Sequence, residues 1–221
     1  MSKKNITAKK ITTLAMLCAV AFIAKLVSNI IPIKISGFLE FDLKDVVLVI
    51  TAFLFGPLSS AVCAVITSFI EMLSISESGL IGFLMNSISS CAFCCAAGAV
   101  YTRYRTMRGA VSSLVAGTVF MTGIMLLWNY LITPLYMNVS REVVSGMLAT
   151  VFLPFNLIKG GINASLTLLL YKPFVTAMSK ARLIPESPTT RKKGINLGVA
   201  LVSLFFLITF VILALVLAGV F

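Results

Sequence analysis

Asn156, Lys159 and Asn163 stand at i, i+3 and i+7 within an otherwise apolar run, so a helix there would carry all three on one face. Two amides and an ammonium group gathered in this way suit a ligand rich in hydroxyls and carbonyls, with Gly160 and Gly161 beside them. A structural reading competes with the binding one: Lys159 pairs with an acid such as Glu71, and the asparagines only join helices. The spacing leaves both open. Trp128-Asn129-Tyr130 forms a second cluster, offering either a flat wall with hydrogen bonds or part of an interfacial aromatic belt. Ala15 and Ala19 lie four apart, a spacing of small residues that lets another helix approach closely. Lys25 and Glu71 are the remaining charges in or near apolar runs, and Lys25 is expected to snorkel to an interface.

Other chemistry is closed. The chain has no histidine, which removes serine–histidine and cysteine–histidine catalysis. It also lacks the G-x-x-x-x-G-K-[ST] phosphate loop, so ATP-driven work would need another chain. Cys18, Cys63, Cys91, Cys94 and Cys95 lie in apolar segments and read as small hydrophobes rather than as a metal or disulfide framework. No enzyme, metal or resident cofactor is expected.

The elements that position these residues follow from composition. Hydrophobic residues make up 59% and charged residues 11% of the chain, with mean hydropathy +1.07, against about 25% charged in a soluble domain. No soluble core explains that excess. Runs of about 20 apolar residues span a bilayer, and the chain has room for six or seven. The first run, Ile11 to Ile31, is too long for a signal peptide and is read as a permanent helix. A short run from Asp45 to Phe55 is separated from Pro57–Leu73 by Gly56-Pro57, which cannot continue a straight helix. Leu80–Tyr101, Ala110–Leu131, Met147–Leu170 and Ile195–Phe221 supply the rest.

The formal net charge of +11 reports orientation rather than nucleic-acid binding, since the cations cluster between runs. Lys3, Lys4, Lys9 and Lys10 precede the first run. Arg103, Arg105 and Arg108 precede the fifth, while Lys180, Arg182, Arg191, Lys192 and Lys193 precede the last. Glu40, Asp42, Glu77 and Glu142 fall in the alternate loops. The positive-inside rule therefore puts the N-terminus in the cytoplasm and Phe221 outside, in a multi-pass protein of the cell membrane. The first outer loop, residues 31–45, alternates apolar and polar residues around Gly37 and reads as a hairpin lid. Asp42 or Asp45 is placed either to cap the helix that follows or to contact a ligand.

Phe-Asp-Leu-Lys-Asp (41–45), Phe-Leu-Phe-Gly-Pro-Leu (53–58), Gly79-Leu-Ile-Gly-Phe-Leu-Met-Asn86, Asn129-Tyr130, Pro134-Leu-Tyr136 and Phe155-Asn156-Leu-Ile-Lys159 occur in this order. Together they resemble the S components of energy-coupling-factor vitamin transporters, specifically the riboflavin-specific RibU type, over roughly residues 8–178. The resemblance implies an all-α membrane protein: a six-transmembrane-helix bundle with flavin bound beneath the first loop near the outer face. Asn129, Asn156 and Lys159 match positions that contact the flavin. Asn86 and Gly82 lie on the matching fourth-helix segment, and Leu43, Tyr130 and Asn163 complete the candidate set.

Ala15 and Ala19 match the family's A-x-x-x-A motif, which packs on a transmembrane coupling subunit. The implied partners are that subunit, two ATP-binding-cassette ATPases and the lipid bilayer; riboflavin is the transported substrate. The expected division is a basic cytoplasmic N-terminus (1–10), a substrate-binding membrane domain (11–179), a basic cytoplasmic linker (180–194) and an additional C-terminal transmembrane helix (195–221). That last helix departs from the six-helix pattern. The absence of an outer arginine cluster favours riboflavin over a phosphorylated flavin such as FMN; another vitamin and a self-sufficient secondary transporter are the alternatives.

Overall fold

The computed structural model describes residues 8–30, 34–35, 39–75, 78–184 and 197–219. The helices are α1 (Ala8–Ile30), α2 (Lys44–Phe55), α3 (Pro57–Ser74), α4 (Gly79–Arg103), α5 (Met107–Met137), α6 (Arg141–Met147), α7 (Leu153–Lys180) and α8 (Leu197–Leu217). Among the described residues six helical segments are long and apolar enough to cross a membrane: α1, α3, α4, α5, the continuous Arg141–Lys180 segment, and α8. In lipid each backbone polar group must be satisfied internally, which helices do within one segment.

The short α2 is the axis of the bundle. Every residue from Lys44 to Phe53 is buried, as expected of a helix that is apolar on all sides. At about 1.5 Å per residue its 12 residues cover only about 18 Å. It packs against α1, α3, α4 and α7. Gly56 ends it at φ +91°, a left-handed conformation suited to glycine, and Pro57 starts α3 at a position where its missing N–H costs nothing. Small residues allow the remaining helices to approach: a Cβ on Gly98 of α4 would meet the Ala52 Cβ of α2 at 2.8 Å, and one on Gly117 of α5 would meet the Phe93 carbonyl at 2.9 Å. Away from the loop that precedes α2, Phe53 stacks on Tyr101 at 4.0 Å.

Two helices run further than their apolar patterns indicate. Thr133 and Pro134 look like a stop, yet α5 continues to Met137 and ends where Asn138 turns left-handed at φ 53°. The sixth apolar run is the middle of a longer path that begins at Arg141 and widens into a π turn, Leu148–Phe152. Pro154 explains the widening. It has no N–H to return to the Thr150 carbonyl, and the Leu153 N–H reaches back to Leu148 instead.

The hairpin expected between α1 and α2 is present in part. Strand β1 (Lys34–Ile35) pairs antiparallel with β2 (Leu39–Glu40), with Lys34 opposite Glu40. Its turn around Gly37, the N-terminal Lys3 and Lys4, Glu77, the linker residues Arg191–Lys193 and Phe221 lie outside the described residues.

Candidate functional site

A cavity of about 650 Å³ lies where α1, α3, α5 and α8 finish and α4 and α7 begin. The basic segments holding Arg103, Arg105, Arg108, Lys180 and Arg182 lie at the other ends of those helices. Residues 39–43 pass over it and contribute Leu39, Phe41 and Leu43. Phe41 and Phe155 of α7 meet with ring centroids 5.3 Å apart, tilted by 49°. They give the chamber flat apolar surface.

The polar groups of the wall come from separate helices: Asn86 and Ser89 from α4, Asn129 from α5, and Asn156 and Lys159 from α7. Each asparagine has a hydrogen-bond partner, close for Asn129 and Asn156 and longer for Asn86. The Asn129 amide donates to the Met125 carbonyl at 2.8 Å, and the Thr133 hydroxyl donates to the Asn129 amide oxygen at 2.9 Å. The Asn156 amide donates to the Phe152 carbonyl at 2.7 Å, inside the π turn. The Asn86 amide donates to Glu71 at 3.4 Å. Ser89 is buried in this wall, and among the described residues its Oγ has no hydrogen-bond partner. Such a hydroxyl is costly unless something hydrogen-bonds to it.

A network of ions runs along the cavity wall. Lys44 Nζ sits 2.9 Å from Asp42 and donates to both Glu71 carboxylate oxygens at 2.7 Å, with all three side chains buried. Lys159 Nζ is 4.0 Å from Asp45, beyond hydrogen-bond reach. Asp45 itself accepts from Ser90 at 2.5 Å and from Asn163 at 3.4 Å. Lys25 donates to Glu40 of β2 at 3.2 Å and ties the loop to α1. Burial pushes the Asp42 carboxyl up, but Lys44, Lys25 and Lys159 outweigh it and hold the group below the usual carboxylate range.

These contacts correct two expectations. Glu71 is paired with Lys44 rather than Lys159, whose nearest acid is Asp45. Lys25 does not snorkel, because Glu40 brings a partner to it and the lysine stays buried. Of the two candidate caps, Asp42 accepts from the Lys44 backbone N–H at 3.0 Å, while Asp45 turns inward to Ser90 and Asn163.

Leu43, Asn86, Asn129, Asn156 and Lys159 therefore surround one space. Asn163 lies a turn deeper on α7, engaged with Asp45. Tyr130 lines neither cavity and is 39% exposed, being about 100° around the helix from Asn129. Gly82 borders a separate space of about 20 Å³ with Trp128, too small for a vitamin. Ala15 and Ala19 lie away from the cavity on the exposed face of α1. Ser89, Phe41 and Phe155 were not singled out by sequence; Ser89 had a signal, standing three residues after Asn86 on the same face.

The model of the family described as ECF transporter, substrate-specific component, matches residues 9–171. The chain belongs to that family. It is a multi-span membrane S component, a part of a transporter rather than an enzyme. It is 28% identical over 175 residues to the riboflavin transporter RibU of Staphylococcus aureus (strain TCH60), covering 74% of this chain and 89% of that one. It is 27% identical over 187 residues to the riboflavin transporter FmnP of Bacillus subtilis (strain 168), covering 79% and 98%. A solved S component of a bacterial ECF transporter superposes with a TM-score of 0.65 at 28% identity, covering 77% of this S component and 97% of the solved chain.

Proposed function

We propose that this S component captures riboflavin at the outer face of the membrane and delivers it inward together with a transmembrane coupling subunit and two ATP-binding-cassette ATPases. The observation that carries the reading is the convergence of Asn86, Asn129, Asn156 and Lys159 on one cavity of about 650 Å³ with both apolar and polar walls. Ligand sites of this kind span about 300–1,000 Å³, with a few placed polar groups fixing orientation. An isoalloxazine ring is flat and amphipathic, and the Phe41 and Phe155 surfaces suit it. The ribityl hydroxyls and ring carbonyls need several partners, which the amides and Lys159 supply. Two relatives that are named riboflavin transporters support the choice of vitamin.

Riboflavin titration of the purified full chain tests this, with FMN and thiamin as comparators. Asn156→Ala and Lys159→Ala each remove a desolvated hydrogen-bonding group, a loss of about 1–3 kcal/mol, so affinity should fall about 5- to 150-fold. Folded variants that bind riboflavin as the parent does would sink the site assignment.

The basic clusters orient the cavity outward. Single cysteines in a cysteine-free background should label from the cytoplasm at Arg105 and Lys192, and from outside at Glu142. A C-terminal tag should be accessible from outside. Accessibility of that tag from the cytoplasm alone would mean that α8 does not cross.

A further inference from the structure

Helix α8 is the most apolar of the candidate spans, and the family match stops at residue 171, before it begins. It leans on α7. The contact is close because α7 offers no side chain there: a Cβ on Gly161 would come within 2.5 Å of the Phe210 ring. Most of α8 presents large apolar side chains outward, among them Leu204, Phe205, Ile208 and Ile212, as a lipid-facing surface does.

Its other side is different. Leu207, Val211 and Ala214, spaced at i, i+4 and i+7, line the 650 Å³ cavity. Ala214 is 2% exposed and packs with Ile158 and Ile162 of α7, and Phe41 from the covering loop joins the same cluster. The far end of α8, through Leu217, also touches the cluster of Leu39, Phe152 and Phe155. One helix outside the family's matched region thus contributes wall to the chamber and apolar support to the segment that covers it.

We propose that α8 is a ligand-contacting wall of the binding site, with Leu207 and Val211 as affinity- and specificity-determining residues that close one apolar flank around the flavin. The inference rests on the flavin reading above. Its chemistry is apolar: α8 brings no hydrogen-bonding group to the cavity, so it contacts ring surface and excludes water. Removing its side chains should raise the dissociation rate more than it lowers the association rate, as contact losses generally do.

The test keeps the full chain and compares two double variants on the same helix. Leu207→Ala with Val211→Ala trims the cavity side; Leu204→Ala with Ile208→Ala trims the lipid side. The cavity-side pair should weaken riboflavin binding about tenfold, mainly through faster dissociation, while the lipid-side pair binds like the parent. Val211→Trp, which fills the flank, should also weaken binding and guards against an effect of helix loosening alone. Equal affinities for both pairs, with an unaffected Val211→Trp, would overturn this inference and leave the flavin reading intact. Failure of the unaltered chain to bind riboflavin would overturn both.

Discussion

Cells carrying Ala15→Trp together with Ala19→Trp are expected to lose riboflavin uptake, while the purified double variant binds riboflavin with near-normal affinity. Both alanines lie on the exposed face of α1 between Ile11 and Ile23, which are also exposed. The α1 residues that reach the cavity, Lys25, Ser28 and Asn29, are at the other end of the helix. Tryptophan at the two alanines therefore leaves the site untouched. In lipid, helices associate by packing, and small residues permit backbones to come close. Two indoles would hold a partner helix away, whereas a surface that meets only lipid tolerates them. The chain has no phosphate loop, so uptake should vanish as well when it is produced without its partners, although binding remains. Concentrative uptake by this chain alone in proteoliposomes would restore a self-sufficient transporter.

How far the site was legible depended on the type of residue. Asn129, Asn156 and Lys159 stand out because a polar group in an apolar helix needs a reason. For Lys159 the pairing alternative points to Glu71, whereas its nearest acid is Asp45. Lys44 pairs with Glu71 across 27 residues and Asn163 meets Asp45 across 118, and no local pattern reports such pairings. Periodicity carries more information than residue type alone. Tyr130 follows Asn129 by one residue and so faces elsewhere, while Ser89 follows Asn86 by three and shares its face. The apolar wall was silent for a different cause: Leu207 and Val211 look like any residues of a membrane span until α8 is placed against α7. The long spans were legible because length and hydropathy decide them, whereas the short α6 that opens the Arg141–Lys180 path was not. The ends of α5 and α7 were not, because Pro134 and Pro154 sit within helical paths that tertiary packing sustains.

Lys44→Met is expected to be the most destabilising single substitution in the bundle. Lys44 is fully buried at the start of the central helix, and its ammonium group is the counter-ion of both Asp42 and Glu71. Methionine keeps the volume but leaves two carboxylates unmatched, and breaking a buried pair by removing one partner costs about 3–5 kcal/mol. That is a large fraction of an ordinary protein's stability, and at about 2–4 °C per kcal/mol for a chain of this size the midpoint of melting in detergent should fall by about 10 °C. Asp42 also accepts the Lys44 backbone N–H, so repulsion between the acids would pull on the segment that covers the cavity. Adding Glu71→Gln to Lys44→Met should recover part of the loss, because one acid then remains and Lys25 and Lys159 still attract it. The sign with pH follows from the same charges. A carboxyl held below its ordinary value of about 4 contributes stability that is present above that value and lost as the pH falls through the lowered one. In the variant Asp42 lacks its main cation and takes up a proton more readily. The gap in melting temperature between parent and variant should therefore narrow as the pH is lowered from about 7.5 toward 5. A gap that stays constant over that range would assign Lys44 a packing role and remove the ionic network from the account of how this site is held.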